Sequence, residues 1–230
     1  MTDMLWIVPS RSRPDNIANL IASWHSTRCT ANLMVVVDDD DPKLDEYMRV
    51  KLNFKGFHWV GWGVTERKRL GGTLNHYANL MAPSYDFIGF MGDDHRPKTP
   101  IWDGLMAAQL RKMGTGLVYG NDLFQGKHLP TEIAMTTDII SALGYMVPPT
   151  LTHLYLDNFW MELGQGAGCI EYMEHVIIEH LHPHAGKAET DAQYEELNSA
   201  KQHSQDGHAF ETYKRKGLAA DVAKIKAVMR

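Results

Sequence analysis

Asp93, Asp94 and His95 stand directly after a short apolar run, Phe87 to Met91, and are the residues of this chain best suited to hold a metal ion. Neighbouring carboxylates repel one another unless a cation lies between them or water screens them. A hard divalent ion such as Mg²⁺ or Mn²⁺ takes oxygen ligands from one or two carboxylates together with substrate phosphates. A second group of candidate ligands lies far along the chain, in Val176-Ile-Ile-Glu-His-Leu-His182. The two-residue period of a strand puts Val176, Ile178, His180 and His182 on one face, so two imidazoles point the same way where a buried run ends. Glu179 or Asp191 could orient such an imidazole from behind.

Further charged residues follow other apolar runs. Leu33 to Val37 stops at four successive acids, Asp38 to Asp41, of which Asp38 comes directly off the strand. Leu5 to Val8 leads into Pro9-Ser-Arg-Ser-Arg-Pro14, which places Ser12 and Arg13 near a helix start, where free backbone N–H groups favour anions. Thr65-Glu-Arg-Lys-Arg-Leu-Gly-Gly72 is a cationic loop running into another helix, a cradle for phosphate through Lys68 or Arg69. Lys187, in a loop just past the histidines, is a further phosphate candidate. Asp157 sits near the start of a helix spanning 155–164, with Glu162 as the next acid along it.

These residues need a scaffold that gathers strand ends. Short apolar runs alternate with helical spacing across residues 4–119, the pattern of an α/β sandwich with a mainly parallel sheet, in which ligands sit beyond the carboxyl ends of the strands. Strands are expected at 5–8, 33–37, 57–62, 87–91, 116–119 and from 176. Helices are expected after Pro14, after Gly72, from Thr99-Pro100, over 131–143, over 155–164, and over 208–230 as a last basic amphipathic helix. The expected organisation is one catalytic domain over 1–205, with a nucleotide-binding half to about residue 97, an acceptor half beyond it, and a terminal helix over 206–230.

Composition sets limits. The chain has 230 residues, 44% of them hydrophobic, enough to bury a substantial core. A net charge of -5 argues against holding nucleic acid by bulk electrostatics. Cys29 and Cys169, far apart and without metal-ligand spacing, fit a reducing compartment and a cytoplasmic protein, and the short apolar start at Met4 reads as a strand. No apolar stretch approaches the roughly 20 residues of a membrane span.

In this order the motifs resemble the GT-A glycosyltransferases, in particular compact family 2-like members from phages and bacteria, from Leu5 to about Asp191. The resemblance rests on Pro9 to Pro14 after the first strand, Val37-Asp38-Asp39 after the second, the basic loop from Arg67 to Gly72, and Gly92-Asp-Asp-His95 in place of the family's Asp-X-Asp motif. It implies transfer of a sugar from a nucleoside-diphosphate sugar, with UDP the first nucleotide to consider, to an acceptor hydroxyl; hydroxyl-bearing modified bases of DNA are one acceptor if the chain is phage-encoded. It implies that Pro9, Ser10, Arg11 and Asp38 hold the base, that Arg13, Lys68 or Arg69 meets the diphosphate, and that Asp93 holds ribose or a metal-bound water. Asp94 with His182, or His180 in its place, would ligate Mn²⁺ or Mg²⁺, and Asp157 would act as general base. The motif reads Asp-Asp-His, so which of Asp93, Asp94 and His95 touch the ion stays open.

Three other readings compete. A nucleotidyltransferase would use a similar sheet and acidic pair, but it usually carries a glycine-rich basic loop after the first strand, and Pro9 to Pro14 has no glycine. A protein could bind a nucleotide without turning it over. A metal-dependent phosphohydrolase would want histidine among the acids at the early strand ends.

Overall fold

The computed structural model describes residues 3–187, 190 and 199–229, and Asp191 lies outside them. Its strands and helices alternate as β1 (Met4–Ser10), α1 (Pro14–Ser26), β2 (Asn32–Asp38), α2 (Leu44–Asn53), β3 (Val60–Thr65), α3 (Arg69–Met81) and β4 (Phe87–Phe90). Then come β5 (His95–Pro97), α4 (Trp102–Met113), β6 (Leu117–Asn121), β7 (Ile133–Thr136), α5 (Thr137–Leu143), α6 (Leu156–Ala167) and β8 (Ile170–His180). Two helices, α7 (Ala200–Lys216) and α8 (Leu218–Val228), follow.

The strands form one sheet in the order β3-β2-β1-β4-β7-β6-β8-β5. It is parallel from β3 to β4 and again between β6 and β8, and antiparallel where β7 joins β4 to β6 and where β5 lies on β8. Side-chain alternation along β1 builds a layer on each face. Leu5 and Ile7 enter the layer that includes Leu74, Ile140, Phe159, Trp160 and Ile225, while Met4, Trp6 and Val8 enter the one that includes Ile17, Trp24, Tyr47 and Trp102. Trp6, Trp24 and Trp102 meet edge to face, with centroids 4.9–6.4 Å apart. A Cβ on Gly89 would lie 2.6 Å from the Trp6 ring, so glycine in β4 is what lets the indole lie over the neighbouring strand.

Several elements differ from the sequence expectation. Residues 133–136 form a strand inside the segment expected to be helical, because Ile133-Ala-Met-Thr136 is buried on both faces, and a short apolar run has no period that separates strand from helix. The third strand begins at Val60 instead of Phe57, and Phe57 joins an aromatic stack with Phe54, Trp59 and His25. α4 starts not at Thr99 but after Ile101, in the left-handed region; the Thr99 hydroxyl donates to His175 O and accepts from Ile177 N, pinning the turn to β8. The terminal helix is two helices broken at Gly217. No helix among the described residues is long and apolar enough to cross a membrane.

Candidate active site

The C-terminal ends of β1, β2 and β4 open into a cleft of about 290 Å³. Its lining brings together most residues singled out in the sequence: Pro9, Ser10, Arg11 and Arg13 after β1, Asp38 at the end of β2, Arg69 at the start of α3, Asp93 and Asp94 after β4, and His180 and His182 at the end of β8. Arg67, His95, Thr131, His153 and Leu154 join them. Lys68 turns to Glu66, and Lys187 pairs with Glu179 at 3.0 Å. Asp157 lies in the first turn of α6, just after the lining residues His153 and Leu154.

The end of β2 carries a charge network. The Arg11 guanidinium donates to Asp38 Oδ2 at 3.0 Å and to Asp40 Oδ1 at 2.5 Å, and Arg67 Nε lies 3.8 Å from Asp38 Oδ2. Asp41 has a different task, accepting from the backbone N–H of Ser12 and of Lys43 and so tying the loop after β1 to the start of α2. Burial raises the Asp38 carboxyl above its ordinary range, although Arg11 opposes this.

Asp93 and Asp94 face different partners, although each still feels the other's charge. Asp93 is buried against α1. Ser10 Oγ donates to its Oδ2 at 2.6 Å, Asn16 Nδ2 to its Oδ1 at 3.3 Å, and Arg13 lies 3.6 Å away. Burial and the Asp94 charge push the Asp93 carboxyl up to about 6, against the pull of Arg13 and Ser10. Asp94 faces two imidazoles: Oδ1 is 3.2 Å from His95 Nδ1 and Oδ2 is 3.4 Å from His180 Nε2. Burial would raise Asp94, but His180 and His95 hold it well below the usual carboxylate range. Burial, together with the neighbouring His180, pushes His95 down to about 4.

The backbone explains the pairing. His95 of β5 stands opposite His180 of β8 in an antiparallel register, and their rings stack with centroids 4.2 Å apart. Leu181 N donates to Asp94 O at 3.0 Å, closing the same corner. His182 lies past the strand end, edge on to His180 and stacked on Phe124 with centroids 5.2 Å apart.

Asp94, His95 and His180 each offer a ligand atom, and these atoms all lie within 4.8 Å of one another. Nδ1 of His95 and Nδ1 of His180 are buried and have no hydrogen-bond partner. A carboxylate oxygen and two imidazole nitrogens, with unsatisfied polar atoms buried beside them, are a donor set that a divalent transition ion fits. The geometric group thus contains His95, which the sequence left open.

Against solved structures, the chain superposes on S. aureus TarS in complex with UDP with a TM-score of 0.59 at 13% identity, over 94% of this chain and 73% of that one. A mannosyltransferase from Pyrobaculum calidifontis, in complex with GDP-Man and Mn²⁺, gives a TM-score of 0.59 at 10% identity over 98% and 73%. The chain has the GT-A glycosyltransferase fold. A protein from Desulfovibrio desulfuricans assigned to the nucleotide-diphospho-sugar transferases shares this GT-A architecture end to end, with a TM-score of 0.52 at 11% identity over 99% of this chain and 98% of that one. No protein-family profile and no curated protein sequence matches the chain.

Sequence reasoning missed Asp122, Thr131 and His153. Asp122 had a signal, since like Asp38 and Asp93 it follows an apolar strand. Thr131 and His153 had none, because only the tertiary fold brings their loops to the cleft.

Proposed function

We propose that this protein is a metal-dependent glycosyltransferase that moves a sugar from a nucleoside-diphosphate sugar to an acceptor hydroxyl. The observation that carries the reading is the convergence of Asp94, His95 and His180 in a cleft also lined by Arg11, Arg13, Arg67 and Arg69, in a GT-A fold. Asp94, His95 and His180 would hold Mn²⁺ ahead of Mg²⁺, because Mg²⁺ prefers an all-oxygen shell; His182 stands next to them. When bound, the ion supplies positive charge against the diphosphate that leaves.

The chain's own groups do the remaining work. Asp38, bracketed by Arg11 and Arg67, offers a carboxylate to the N–H edge of a base, and Pro9 and Ser10 line that end of the cleft. Arg13 and Arg69 meet the diphosphate, with Lys68 beside Arg69 and Lys187 past the end of β8 as secondary cations. Asp93, fixed by Ser10 and Asn16, takes the ribose side. Asp157 serves as general base toward the acceptor hydroxyl. Burial raises its carboxyl above the ordinary carboxylate range, the direction that suits a proton acceptor, while the Asn158 N–H opposes that rise.

The test is a donor screen. The protein is incubated with Mn²⁺ and a panel of sugar nucleotides, UDP-sugars first, while binding and slow hydrolysis are followed; soluble glycans and hydroxymethylated DNA are then tried as acceptors. Metal-dependent binding of a sugar nucleotide, abolished in Asp94→Ala, is the expected result. Binding restricted to nucleoside triphosphates with release of pyrophosphate would replace this reading with a nucleotidyltransferase.

A further inference from the structure

The two imidazoles that face Asp94 each turn their other nitrogen toward a second group, formed by the loop between β6 and β7. His95 Nε2 lies 3.3 Å from Thr131 Oγ1, and His180 Nδ1 lies 4.0 Å from Asp122 Oδ2. Thr131 Oγ1 in turn donates to Asp122 Oδ2 at 2.9 Å and has Glu132 Oε2 at 3.3 Å. Asp122 is itself fixed. Its Oδ1 accepts from the backbone N–H groups of Phe124, Gln125 and Gly126 at 2.7–2.9 Å, and its own carbonyl accepts from His180 N at 3.0 Å.

A hydroxyl has one proton and two lone pairs. The Thr131 proton goes to the Asp122 carboxylate, so what Oγ1 presents to His95 is a lone pair, which draws the His95 proton to Nε2 against the pull of the Asp94 carboxylate toward Nδ1. Nδ1 is then left bare, and it is the atom 3.2 Å from Asp94 that is buried without a hydrogen-bond partner. His95 as a whole is 1% exposed, so bulk water does not compete with these partners.

We propose that Thr131, held by Asp122, is a positioning residue that fixes the tautomer of His95 so that its bare nitrogen, together with His180, is presented to a divalent cation at Asp94. The inference rests on the metal-dependent reading above, but it can be tested apart from it. Ring-nitrogen NMR correlations on the metal-free full chain should show His95 protonated at Nε2 in the wild type and in Thr131→Ser, with a shift toward the Nδ1–H form in Thr131→Val. Mn²⁺ binding, read from the loss of the free-ion EPR signal, should weaken by roughly 10–100-fold in Thr131→Val and in Asp122→Asn, and Thr131→Ser should retain wild-type affinity. A wild-type His95 that carries its proton on Nδ1, or unchanged Mn²⁺ affinity in Thr131→Val, overturns the proposal. If the wild type binds no Mn²⁺ at all, the metal-dependent reading fails while the tautomer of His95 still decides this one.

Discussion

Among single residues, Glu132 is the one whose environment makes the sharpest solution prediction. It is fully buried, accepts from Gly120 N at 2.6 Å, and burial pushes its carboxyl up to about 8. Between its ordinary value near 4.5 and about 8, the folded chain keeps a proton that the unfolded chain has released. Stability from this group is therefore greatest at low pH, falls as pH rises through that window, and is flat above it. Glu132→Gln keeps the acceptor for Gly120 and removes the titration. Thermal unfolding at pH 9 should show the variant more stable than wild type by on the order of 5 °C, with the two converging near pH 5; equal midpoints at pH 9 would disprove the buried charge. Residues of this kind are the least legible in sequence. Asp38, Asp93 and Asp94 could be read because each ends an apolar run, and the fold determines where a strand end points. Glu132 sits beside a strand the periodicity did not reveal, and nothing in its local sequence marks it as buried.

Elements decide how the α6 side of the cleft is held. Asp206, on α7, is buried and accepts from Thr152 Oγ1, His153 N and Leu154 N at 2.8–3.0 Å, with Gln202 Nε2 as a further donor. Phe210 on the same helix stacks on Tyr155, the left-handed residue from which α6 starts. From the other side, Gly71 N donates to Thr152 O, at a contact so close that a Cβ on Gly71 would lie 2.2 Å from Leu151 O. The loop that places His153, Leu154 and then Asp157 is thus clamped between α3 and α7. Asp206→Asn replaces an acceptor by a donor facing backbone N–H groups and should cost about 1–3 kcal/mol. Amide exchange should accelerate first at 152–154, with β1 and β2 unaffected; uniform acceleration across the chain would show that the clamp is not local. Helix periodicity identified α6 and the apolar stripe of the terminal segment. It could not show that Asp206, a polar residue in a basic helix, points inward, because the partners that make its burial tolerable are N–H groups some fifty positions earlier.

At the scale of the whole molecule, the sheet carries an apolar layer on each face, and the last helices close one of them. Ile225 is buried in that layer, and Asp221 accepts from the Tyr145 and Tyr213 hydroxyls. A chain ending at Lys216 would expose the seat of Ile225 and leave two tyrosine hydroxyls without their acceptor, a loss of about 3 kcal/mol or more. Its thermal midpoint should fall by on the order of 10 °C, and an unchanged midpoint would show that α8 is an ornament to the domain. The α/β class and the order of strand-end acids were legible because alternation and apolar runs report burial directly. The sheet's antiparallel insertions were not, since pairing direction depends on how far the connecting loops travel. β8 serves two neighbours in turn: its first residues run parallel to β6, a register shift follows at Gly120 and Asn121, and its last residues pair with β5. Chain length between that irregularity and His180 therefore acts as a ruler. Inserting or deleting one residue there would turn the imidazole to the opposite side of the sheet, so across descendants of this protein side chains along the strand can drift while the residue count cannot.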